Sequence, residues 1–136
     1  MAGWGTGSFE NEDAQAWLPL LASLVLDDLH PLLARAADNA EYLEAPESSI
    51  AIAAAEAVAA LKGAPATAMP KQIADWAHAA KSQSNGDSLQ GLTALAVRAV
   101  QRVRTNSELK DLWLQADGLN EWSANLRDLE KRLASD

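Results

Sequence analysis

The chain has 136 residues and no cysteine, the size of one domain able to bury roughly two-thirds of its unfolded surface. Alanine supplies 29 residues and leucine 20, against 8 for valine and isoleucine together, a composition that favours helices and excludes an all-β fold. A formal charge of −8 and an isoelectric point near 4.6 speak against nucleic acid as a partner, because that affinity comes from Lys and Arg neutralising phosphates.

In chain order, a glycine-rich loop over residues 1–11 comes first. Ala14, Trp17, Leu18, Leu21, Leu24 and Val25 then recur at steps of three and four, which predicts a helix over 11–26 with Ser8 or Asn11 as its cap. Asp27 or Asp28 opens a second helix striped by Leu29, Leu32, Leu33, Ala36 and Ala40, with Pro31 in its first turn. Pro46 and the serines behind it start a third, with Ile50, Ala54, Val58 and Leu61 as its stripe and Gly63 and Pro65 as its stop. Pro70 opens a short fourth carrying Ile73, Trp76, Ala77 and Ala80, ended by the polar run at 82–86. Asp87 or Ser88 caps a long helix with Leu89, Leu92, Ala96, Ala99, Val100 and Val103. Leu109, Leu112 and Trp113 mark the next, and Trp122, Leu126, Leu129 and Leu133 the last. The expectation is an all-α, compact single domain over 1–136, six or seven helices with short connections.

No secretory signal is recognisable in Met1, Ala2, Gly3, Trp4 and Gly5, which have neither a basic n-region nor an apolar core, and a cytoplasmic location is expected. The most apolar stretch, 50–61, is interrupted by Glu56 and falls well short of the about 20 residues of a membrane span, so no membrane partner is expected.

The charge is uneven. Residues 1–60 hold ten acids and one base, Arg35, whereas residues 61–136 are nearly neutral. Such asymmetry points to an interaction surface if the acids share a face. The candidate partner-facing residues are Trp4, Glu10, Glu12, Asp13, Asp38, Glu41 and Glu44, and the partner expected is a basic protein.

Other chemistries are less well written. Gly3, Gly5 and Gly7 alternate with Trp4 and Thr6, which reads as a fixed backbone path and not as a phosphate cradle: Glu10, Glu12 and Asp13 would repel the anion, and the P-loop lysine is missing. The competing function is a metal-dependent hydrolase drawing on Asp27, Asp28, His30, Asp75 and His78, but no His-x-x-x-His or Glu-x-x-His pair supports it. No cofactor, metal ligand set or catalytic residue is assigned. Arg98, Arg102 and Arg104 suggest a DNA-reading helix, yet Glu108 and Asp111 follow, and pairing of these arginines with acids of the first half is the preferred reading. Trp17, Trp76, Trp113 and Trp122 each fall on an apolar stripe and are assigned to the core.

Taken together, WGTGSFENEDAQAW at the start, YLEAPESSIAIAAAEAVAALKG in the middle, and TNSELKDLW with NEWSANLRDLEKRL near the end resemble the bacterial domain-of-unknown-function 4259 family over nearly the whole chain. Ala16 departs from the pattern, which usually has an acid before the tryptophan that is here Trp17. The resemblance implies one small bacterial cytoplasmic domain and carries no activity or catalytic residues. It directs attention to the N-terminal loop and the 42–47 segment.

Overall fold

A computed structural model describes residues 5–82 and 86–135. Among them run seven α-helices, α1 (Glu12–Leu21), α2 (Leu29–Asp38), α3 (Ala45–Leu61), α4 (Lys71–Lys81), α5 (Gly86–Thr105), α6 (Glu108–Gln115) and α7 (Leu119–Ala134), with one 3₁₀ turn at Leu26–Asp28 and no strand. The all-α expectation and its upper helix count both hold.

The arrangement follows from α3. Ala51, Ala53, Ala54, Ala55, Ala57 and Ala59 are all buried, together with Ile52, Val58 and Leu61, so the helix is apolar on every side where a surface helix carries only a stripe. The predicted stripe was therefore too narrow, and Ile50, one of its members, is only half-buried. Short alanine side chains let neighbouring backbones approach, and α1, α2, α4, α5, α6 and α7 all pack against this one helix. Gly63, with φ +94°, ends α3 in the left-handed region, and Ala64 N–H donates to Ala59 C=O at 2.8 Å to close the terminus.

The amphipathic helices around α3 supply the large side chains. Leu92, Leu95, Val100 and Val103 of α5 and Trp122, Leu126, Leu129 and Leu133 of α7 are buried, as are Trp17, Trp76 and Trp113. Gly118 sits tight against this core: a Cβ there would lie 2.5 Å from the Trp113 ring. Lys62, at the end of α3, donates from Nζ to the carbonyls of Leu133 and Ser135 and so caps α7 with a positive charge.

Three local expectations are corrected. Helix α1 stops at Leu21 instead of running to residue 26. Pro19 removes one helical donor, and the chain leaves through Ser23 N–H to Leu20 C=O and Leu24 N–H to Leu21 C=O at 3.2 and 3.0 Å. Val25 is consequently extended and exposed. Ala40 is not on the α2 stripe, because Asn39 leaves the helix with ψ 123° and its side chain accepts from Glu41 N–H at 2.9 Å, redirecting the backbone. Asp87 and Ser88 lie inside the first turn of α5 and not before it. Of the polar run at 82–86, residues 83–85 lie outside the described residues, as does Trp4.

Candidate functional site

Two of the places that tie the first half of the chain to the second through polar contacts stand out. The first lies under the N-terminal loop. Glu10 folds back so that its Oε1 accepts Gly7 N–H at 2.9 Å, and its carboxylate lies where a Cβ on Gly5 or Gly7 would have to be, 2.3 and 2.5 Å away. The missing Cβ at these two glycines leaves room for the Glu10 carboxylate to fold over the loop. Asn11 caps α1, its Oδ1 accepting Ala14 N–H at 2.8 Å. Ser8, the other candidate cap, turns inward instead.

Ser8 Oγ donates to Glu56 Oε2 at 2.6 Å and accepts from Asn125 Nδ2 at 3.0 Å. Glu56 is 2% exposed on α3 and takes both Nη atoms of Arg132 from α7, at 2.8 and 3.1 Å. Arg132 Nε donates to Asp128 at 2.8 Å. The fork-on-carboxylate geometry answers a charge that burial alone would make very costly. Burial works against the Arg132 cation, but the hydrogen bonds and charges of Glu56 and Asp128 prevail, and its pKa is raised above the ordinary value. Among the described residues no buried side-chain polar atom lacks a partner. The network joins the loop, α3 and α7, and a cavity of about 280 Å³ lies beside it, with Glu10, Thr67, Asn125 and Asp128 in its wall.

The second place is the connection at 39–44. Leu43 is fully buried, and its C=O accepts Glu108 N–H at 2.8 Å, while Glu108 Oε1 accepts Ala45 N–H at 2.7 Å. The starts of α3 and α6 thus satisfy each other's free donors. Tyr42 between them is 55% exposed, with its hydroxyl donating to Asp111 Oδ2 at 2.6 Å. That hydrogen bond, aided by slight desolvation and by the charges of Asp111 and Glu108, pushes its pKa up to about 12.

The candidate acids fall into two groups. Glu10, Glu12 and Asp13 occupy the N-terminal loop and the first turn of α1; Asp38, Glu41 and Glu44 follow the end of α2 and the connection. Asp38 is engaged by Arg98, and Glu41 and Glu44 are exposed. Of the three arginines expected to meet first-half acids, only Arg98 does so. Arg102 donates to the carbonyls of Asn39, Glu41 and Asn106, and Arg104 grips Glu130 through two nitrogens at 2.6 and 3.1 Å. Helix ends and turns leave carbonyls that a guanidinium satisfies as readily as a carboxylate.

The residues considered for metal chemistry are spread out. Asp28 Oδ2 accepts Val25 N–H at 2.8 Å, Asp75 pairs with Lys71 at 2.8 Å, and Asp27, His30 and His78 are exposed. Among the described residues no group of three or more His, Asp or Glu is placed to hold a metal ion, and no helix is long and apolar enough to cross a membrane.

Sequence reasoning missed the Glu56–Arg132 pair, whose members are 76 positions apart. The signal was Glu56 itself, a lone carboxylate in an otherwise apolar helix, which must be paired if it is buried. Tyr42 opens the 42–47 segment to which the resemblance directs attention, but its partner Asp111 lies 69 positions away and no stripe points to it.

No curated protein and no solved structure matches the sequence. The family model described as a domain of unknown function, DUF4259, matches residues 3–125, and the chain belongs to that family.

Proposed function

We propose that the protein is an interaction module of the bacterial cytoplasm that presents its acidic first half to a basic protein partner. One observation carries the reading. Of the ten first-half acids, Glu47, Asp38 and Glu56 are paired with Arg35, Arg98 and Arg132. The other seven, Glu10, Glu12, Asp13, Asp27, Asp28, Glu41 and Glu44, make no ion pair among the described residues, and all but the half-buried Asp13 are exposed. A surface that keeps so many carboxylates unanswered attracts cations at long range and steers a basic partner to it. The exposed Tyr42, its hydroxyl bonded to Asp111 and Glu41 and Glu44 near it in the chain, adds an aromatic of the type that anchors interfaces.

The test is capture of partners on the immobilised protein, with stepwise salt elution and a parallel column carrying Glu12→Gln, Glu41→Gln and Glu44→Gln. A partner retained by the native protein, released well before 1 M salt and lost from the triple variant is expected. Retention unchanged through about 1 M salt, where the screening length is about 3 Å, rejects the acidic-surface reading.

A further inference from the structure

The end of α1 and one side of α4 enclose a groove of about 360 Å³, within the size range of ligand-binding clefts. Pro19, Ala22 and Val25 face Trp76, Ala79 and Ala80 across it. Trp76 Nε1 donates to Leu24 C=O at 2.9 Å, so the polar edge of the ring is already satisfied and what remains toward the groove is apolar. Val25, in the groove wall, stands 53% exposed. A large aliphatic side chain left in water at an apolar cleft marks a surface built to be covered.

The charge around the groove specifies what covers it. Asp75 is part of its wall, the Asp28 carboxylate lies 2.8 Å from the backbone N–H of Val25, and Asp27 is exposed beside it. The last turn of α1 carries no basic residue, so the negative end of its dipole is left for a cation from elsewhere. Asp75 is paired with Lys71 at 2.8 Å, so among the described residues the carboxylates without a cation near the groove are Asp27 and Asp28. A second copy of the chain would bring the same acids to face themselves, which is repulsive.

We infer that this groove binds a cationic amphipathic helix of a partner protein. Its apolar residues, spaced by three and four, enter between Pro19 and Ala79, while its Lys and Arg meet Asp27, Asp28 and the carbonyl end of α1. The inference rests on the reading of the acidic half as an interaction surface and gives that surface its apolar anchor.

The test titrates the full chain, labelled with ¹⁵N, with a synthetic helical peptide of alternating Leu and Lys stripes and with a counterpart in which every Leu is Ser. The Leu/Lys peptide is expected to move the Trp76 indole N–H resonance and the amides of Leu24 and Val25. It should bind at least about tenfold more tightly than the Ser/Lys peptide, the worth of burying one large aliphatic side chain. Val25→Ser, at an exposed position of the groove wall, should weaken the Leu/Lys peptide and leave the Ser/Lys peptide unaffected. Equal binding of both peptides with Trp76 unmoved overturns the groove and leaves the acidic surface standing. No binding of the Leu/Lys peptide at low salt overturns the groove, the acidic surface being judged separately by the capture experiment. Movement of the Trp76 resonance with protein concentration alone assigns the groove to a second copy and likewise overturns the proposal.

Discussion

The network under the N-terminal loop and the junction at Tyr42 do the same job in opposite surroundings. Each joins the first half of the chain to the second through carboxylates. At the loop, Glu56 is buried and receives Ser8 and both ends of the Arg132 fork; at the junction, Asp111 receives an exposed tyrosine hydroxyl. In the interior an ionised group is tolerated only if nearly all its hydrogen-bonding capacity is used, so removing one partner exposes the full desolvation cost of the other. At the surface water replaces what is lost, and the same kind of contact sets geometry more than stability. First-half acidity is therefore two different things: a structural ion pair in the middle of α3, and unanswered charge at the surface.

The largest effect that this contrast predicts is at the buried end. Glu56→Ala takes both Nη bonds to carboxylate from Arg132, leaving it Asp128 and the Ala64 C=O, takes the acceptor from Ser8, and should destabilise the fold by about 3 kcal/mol. Ser8→Ala removes both hydrogen bonds of that hydroxyl, to Glu56 and from Asn125, at a cost of about 1–2 kcal/mol. Because the two side chains share a network, the double variant should cost less than the sum of the singles. Urea unfolding of the three variants measures all of this, and a Glu56→Ala loss below about 1 kcal/mol would break the distinction between the two sites.

An intermediate effect is expected at the junction. Tyr42 is the chain's single tyrosine, so its ionisation is read directly from tyrosinate absorbance. The native midpoint should lie near 12, and Asp111→Asn should bring it back toward the ordinary 10.0 by removing the carboxylate that holds the hydroxyl's proton. The folded value lies above the unfolded one, so the stabilisation is fully present below about pH 10 and is lost as pH rises through about 12. A native midpoint near 10 would mean that Tyr42 is not held by Asp111, and the junction would lose its rigid aromatic.

The outer helices were legible because large apolar residues on an amphipathic helix obey one period: the stripes of α5 and α7 are the buried faces almost residue for residue. In the glycine loop, the Glu10 carboxylate folded over Gly5 and Gly7 was not legible, because no local spacing marks a side chain that turns back on its own loop. Helix α3 was only half legible. Periodicity assumes a side facing water, and a helix surrounded by others has none. The end of α1 was misplaced because Leu24 and Val25 extend the apolar pattern past the point where Pro19 and the turn at Ser23 release the chain. For the candidate site, the excess of acids was readable by counting, but which acids are paired depends on contacts such as Asp38 with Arg98, 60 positions apart. No local spacing encodes those.

The smallest expected change in stability is therefore the sharpest test of what the surface acids are for. Glu41 and Glu44 are exposed, and neither carboxylate joins an ion pair among the described residues. What the connection contributes to the fold comes from its backbone: Glu41 C=O receives Arg102 at 2.7 Å, and Glu44 C=O receives Ser48 N–H at 3.0 Å. Glu41→Gln with Glu44→Gln keeps that backbone and the shape of both side chains while removing two negative charges from the connection. Unfolding free energy should change by no more than about 0.5 kcal/mol, with any shift toward greater stability because like charges are relieved. Tyr42 should keep its native midpoint, because the charges that raise it are those of Asp111 and Glu108. If a basic partner uses this surface, its association rate at low salt should drop and the two proteins should converge as salt is raised, since steering is screened and stability is not. A double variant that unfolds more easily than the native protein would instead give these acids a structural role like that of Glu56, and the contrast between the two regions would fail at its exposed end.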